Sequence, residues 1–82
     1  MKYQIKNFEN EGNNKFVGLY IVDDKNNKLA IDHRIPLVEN KTTEEYIAEA
    51  VQKSQKDIDE WQQSVALIGM VWNPKTNSLK KG

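Results

Sequence analysis

His33 is the only histidine in this 82-residue chain, and it stands between Asp32 and Arg34. An imidazole beside a carboxylate is the raw material of a general base. A catalytic triad also needs a positioned nucleophile, and no nucleophile motif occurs in the sequence. One histidine with no cysteine supplies no convergent ligand set for a metal. The expectation for His33 is therefore a structural, partly buried imidazole. Asp23-Asp24-Lys25-Asn26-Asn27 has oxygens suited to calcium but lacks the spacing and distal glutamate of an EF-hand, so it reads as a hairpin turn. On a helix, Asp57 and Glu60 share a side that Asp59 does not, which is the pattern of a solvated face. Gly12 and Gly18 fit no phosphate loop. Trp72 with Lys75, Lys80 and Lys81 is a thin platform for stacking on single-stranded nucleic acid. These residues point away from an enzyme. No catalytic residue, cofactor, metal or small-molecule substrate is expected.

Charge says little about nucleic acid. Twelve basic residues balance twelve acidic ones, so no general case for nucleic-acid binding exists. The distribution is uneven, however. Between Thr42 and Ile68, Glu44, Glu45, Glu49, Asp57, Asp59 and Glu60 face only Lys53 and Lys56, a net of 2 − 6 = −4. The last ten residues hold Lys75, Lys80 and Lys81 and no acid. The N-terminal residues lack the apolar core of a signal peptide, and no apolar run approaches the roughly 18 residues that cross a bilayer. A soluble, cytoplasmic protein with no membrane contact is expected.

The elements that would position these groups are legible from spacing. Ile47, Val51, Ser54, Ile58, Trp61, Val65 and Ile68 recur in steps of four and three, one stripe of a helix. Tyr46, Ala50 and Leu67 widen it. Thr42 with Glu45 is a capping-box start, Gly69 is the natural stop, and Glu49–Lys53 and Lys56–Glu60 are i,i+4 pairs. One long helix of about 39 Å is predicted from Thr42 to about Leu67, although residues 64–68 could instead begin a strand. The reading requires that this rod be unbroken.

Strands are predicted at Tyr3–Asn7, Phe16–Val22 and Lys28–Leu37, with turns at Glu9–Asn14 and Asp23–Asn27. Leu29, Ile31, His33, Ile35 and Leu37 share one side of the third strand, and Pro36 marks its end or a sheet edge. Met70–Trp72 is a short strand, and Ser78–Lys80 can return as its partner after Asn73–Asn77. The expected fold class is α+β: a three-stranded antiparallel meander packed on one long helix, plus a short C-terminal strand or hairpin. Residues 1–82 should form a single small domain.

The middle strand is apolar on both sides. Val17, Leu19 and Ile21 face one way, and Phe16, Tyr20 and Val22 the other. A sheet with one wet face alternates more cleanly, and one helix covers one face only. Either Met70–Leu79 folds over the second face, which is the favoured reading, or another protein does. Gly18 within this strand signals a bulge or a close approach.

Two stretches, Val22–Asp32 and Gly69–Leu79, resemble segments of short, mostly uncharacterised proteins encoded by tailed bacteriophages. The second is similar to the hydrophobic-Trp/Tyr-Asn/Asp-Pro-x-Thr hairpins of tail and baseplate accessory proteins. The resemblance covers about a quarter of the chain and carries over no functional residue. It implies a phage origin, a place in the host cytoplasm, and assembly into the virion. The expected function is a non-enzymatic protein–protein interaction or structural module, with a protein partner or self-association. Phe16, Tyr20, Trp72 and Leu79 are its candidate contact residues, with Trp72 as aromatic anchor. The alternative is a small inhibitor of a host protein that uses the acidic helix face as a nucleic-acid mimic.

Overall fold

The computed structural model describes all 82 residues. Three strands, β1 (Lys2–Glu11), β2 (Asn14–Val22) and β3 (Lys28–Pro36), form an antiparallel meander in the order β1-β2-β3. Two helices follow, α1 (Thr43–Lys53) and α2 (Gln55–Ala66), then β4 (Met70–Asn73) and β5 (Ser78–Lys81), which pair with each other in a separate sheet. The α+β class and the meander agree with the expectation. The strands run further than alternation suggested, because the first turn contracts to Gly12 and Asn13, with Gly12 at φ +60. A glycine at the first position of a two-residue loop matches the twist of the flanking strands.

The single long helix does not hold. The helix stops at Lys53, and a second begins at Gln55. Ser54, with φ −97 and ψ 5, is the break. The stripe survives because hydrogen bonding continues through the break, from Ser54 N–H to Ala50 and from Ile58 N–H to Ser54. Ser54 is 1% exposed, and its hydroxyl meets His33 Nε2 at 2.5 Å. A serine buried in an apolar stripe needs such a partner. The break therefore sits where β3 offers a polar group to the helix. Tyr46, Ala50, Ser54 and Ile58 are the helical residues buried most completely.

The helix ends behave as their signals promise. Thr42 Oγ1 accepts from Glu45 N–H, and Glu45 Oε1 accepts from Thr42 N–H, each at 3.2 Å. Glu49 pairs with Lys53 at 3.6 Å and with Lys41 at 2.6 Å. Lys56 and Glu60 form no ion pair, contrary to expectation. Residues 64–66 close the second helix rather than opening a strand, and the chain turns at Gly69, φ +89.

The core lies between the helices and the sheet: Val17, Leu19, Ile21, Ile31 and Ile35 below, Tyr46, Ala50 and Ile58 above. Phe8 meets the Tyr46 ring edge-on at 6.2 Å. The Tyr46 hydroxyl donates to the Val38 carbonyl and accepts from its N–H, tying down the connector. The first helix lies over β2 and β3. Tyr3 and Ile5 share a face with Ile21 and Leu19 but stay 46% and 52% exposed.

The second sheet face is not covered by the C-terminal segment, which corrects the favoured reading. Charged side chains lie over it instead. Lys6 and Lys28 flank the Tyr20 ring at 5.5 Å each, and the Arg34 guanidinium lies 5.0 Å from the Phe16 ring. Their aliphatic stems shield apolar surface while the charges stay wet. Lys6 also bonds Asp32 at 2.7 Å. That link runs from β1 to β3, across β2 at Gly18. Lys6 points to this face by alternation from Ile5, and the register shift between Ile5 and Asn7 keeps Phe8 opposite Val17 on the core side. A Cβ on Gly18 would stand 2.7 Å from Asp32 Oδ1 and 2.9 Å from Lys6 Cε. The glycine leaves room for the ion pair.

Candidate functional site

The four candidate contact residues fall into two places. Phe16 and Tyr20 are half-buried on the open sheet face, beneath the cations just described. Trp72 and Leu79 lie on the β4–β5 hairpin, directly opposite each other across the strands. They are 56% and 50% exposed, and Val71 beside them is 49% exposed. No element brings the two pairs together.

The hairpin is built to hold its own shape. Asn73 Oδ1 accepts from Lys75 N–H at 2.9 Å, starting the turn. Asn77 takes the left-handed conformation at φ 50, and its Oδ1 accepts from the Trp72 indole N–H at 3.1 Å. Thr76 and Ser78 hydroxyls meet at 2.6 Å. The indole is thereby oriented while its ring stays in solvent. Each residue of β5 is exposed. A lone two-stranded hairpin is marginally stable in water unless something packs on it. Leu67 and Ile68, at the hairpin's base, are also exposed.

A second feature lies beside the free edge of β3. A cleft of about 410 Å³ opens there, between the strand and α2. Five consecutive β3 residues, Leu29 to His33, line it. Because neighbouring residues of a strand point to opposite faces, the wall is the strand's unpaired edge rather than either face. The other wall is Asp57, Glu60, Trp61 and Ser64 of the second helix. Spacing of three, four and seven puts these on one helical face, so the grouping was visible in the sequence. What the sequence did not show is that this face borders β3 instead of bulk solvent. Asp32 is engaged by Lys6, whereas Asp57 and Glu60 have no ion-pair partner. His33 is spent on Ser54. No three of the His, Asp and Glu residues converge in a metal-binding group.

Two acids elsewhere are held by local bonds. The Lys41 ammonium, hydrogen bonded to Glu49, holds that carboxyl below its ordinary range. Asn27, donating from its side chain, does the same for Asp23. The Asp23 loop is thus a closed Asx turn with Asn26 at φ 65, and its carboxylate is fully used by Lys25 and Asn27.

No family model, curated protein or solved structure matches the chain. No helix is long and apolar enough to cross a membrane.

Proposed function

We propose that this chain is a non-catalytic protein–protein interaction module whose contact element is the β4–β5 hairpin. The observation that carries this is the pairing of exposed Trp72 with exposed Leu79 on a hairpin that leaves every residue of β5 in solvent. An oriented aromatic beside an aliphatic residue is the usual composition of an interface anchor. Packing against a partner supplies the cover that such a hairpin lacks. Phe16 and Tyr20 are weaker candidates, since lysine and arginine stems already lie over them. The acidic-helix reading is weaker too, because Lys41 and Lys53 already neutralise Glu49.

The likeness of both hairpins to segments of short tailed-phage proteins supports a role in an assembly. Detection of the chain in purified particles tests that part.

A photoreactive amino acid at position 72, compared with one at position 16, tests the contact surface. The expected result is a protein crosslink from position 72 that disappears on Leu79→Ser. Crosslinking from position 16 alone moves the contact to the sheet, and crosslinking from neither position overturns the reading.

A further inference from the structure

We propose that the β4–β5 hairpin of one copy of this chain docks in the β3–α2 cleft of a second copy, adding β5 as a further strand on the free edge of β3. This rests on the hairpin being the contact element and names what it contacts.

Three features of the molecule fit together. The first is backbone. The cleft wall is an unpaired strand edge five residues long, and β5 is a four-residue strand with one edge unpaired. Free strand edges are templates for strand addition. At about 3.3 Å per residue, four residues span about 13 Å, within the length of the wall. The second is charge. Asp57 and Glu60 line the cleft with no cation on them, and Lys75, Lys80 and Lys81 of the hairpin have no anion on them. The third is alternation. With Leu79 turned toward α2, it meets Trp61, and Lys81, on the same side two residues on, reaches Asp57 and Glu60. Lys80 then points to the opposite face, where Asp32 lies. Leu79 and Lys81 therefore match Trp61 and two unpaired carboxylates without rearrangement of the pleat, while Asp32 already holds Lys6. Each copy carries both halves, so the contact joins unlike surfaces of identical chains.

Sedimentation velocity on the full chain tests this. The wild type should associate as concentration rises, and less so as added salt screens the charges. Lys80→Glu/Lys81→Glu and Asp57→Lys/Glu60→Lys, each checked for native circular dichroism, should each remain monomeric. An equimolar mixture of the two should associate again, because the native hairpin of the second variant then meets the native cleft of the first. Leu79→Ser, which changes no charge, should also weaken association.

A wild type that stays monomeric to about 1 mM overturns the proposal. So does a charge-reversed variant that associates like the wild type, or a mixture that fails to recover. A monomeric wild type that still crosslinks from position 72 to a different protein sinks this proposal and leaves the interaction reading intact. No crosslink of any kind removes both.

Discussion

At the scale of single residues, Ser54 is the point on which the helical layer turns. Its hydroxyl is buried and bonded to His33, so removing it leaves an imidazole without its partner. A lost bond of this kind costs about 1–3 kcal/mol, and the better helix propensity of alanine returns roughly 0.5 kcal/mol. Ser54→Ala should therefore destabilise the chain by about 1 kcal/mol in urea unfolding. In a His33→Leu background the same substitution should instead stabilise slightly, since it removes a buried hydroxyl left without a partner and keeps the propensity gain. Glu49 gives a prediction in pH. Its carboxyl is held low by Lys41. A group whose pKa is depressed in the folded state contributes stability above its unfolded pKa, and that contribution is lost as pH falls through the folded value. Wild type should therefore melt above Glu49→Gln at neutral pH. The gap should close through the acid range, from the ordinary carboxylate value downward. A gap that widens on acidification would contradict this sign.

At the scale of elements, the β4–β5 hairpin and the main sheet should differ sharply in local stability. Leu19 and Ile21 are fully buried in the middle strand, whereas β5 is exposed throughout. Amides of β2 should exchange with solvent only through global unfolding, and those of β4 and β5 through cheap local opening. In dilute protein, hydrogen-exchange mass spectrometry should find the hairpin exchanged long before β2. Equal protection would mean that the hairpin is packed on something.

The elements themselves were largely legible. Alternation identified the three strands, the capping box placed the helix start, and Gly69 marked the turn into the hairpin. The break at Ser54 was not legible, because a serine on a helical stripe looks like any small residue until its partner is known. That partner, His33, lies 21 positions away on another strand. The cover on the second sheet face was missed for a related reason. Apolar patterning assigns Lys6, Lys28 and Arg34 to solvent and takes no account of where their long stems lie. Of the contact residues, Trp72 and Leu79 were placed together by their hairpin register. Alternation put Phe16 and Tyr20 on the second sheet face, and nothing local revealed that the hairpin stays clear of it.

At the scale of the whole molecule, the shape departs from that of a compact domain. Its extents are 58 × 19 × 17 Å, and its radius of gyration is 17.1 Å. A compact chain of this length has a radius near 12 Å. Small-angle scattering at low concentration should return the extended value for the wild type, and a clearly smaller one for a chain ending at Gly69. An unchanged value would mean that the hairpin folds back onto the body in solution. The buried set is small, with 11 of 82 residues buried. Stability then depends on the sheet–helix layer alone, and the same truncation should leave its cooperative melt in place.

Gly69 has open space around its Cα and a torsion that other residues resist. Its carbonyl accepts from Gly82 N–H at 3.2 Å, and Met70 N–H bonds back to the Leu67 carbonyl at 3.0 Å, so backbone bonds rather than side-chain packing join the hairpin to the trunk. An arm mounted this way can be re-aimed, lengthened or exchanged for a different peptide while every side chain in the trunk keeps its neighbours. Selection could therefore change what this chain grips without retuning what keeps it folded.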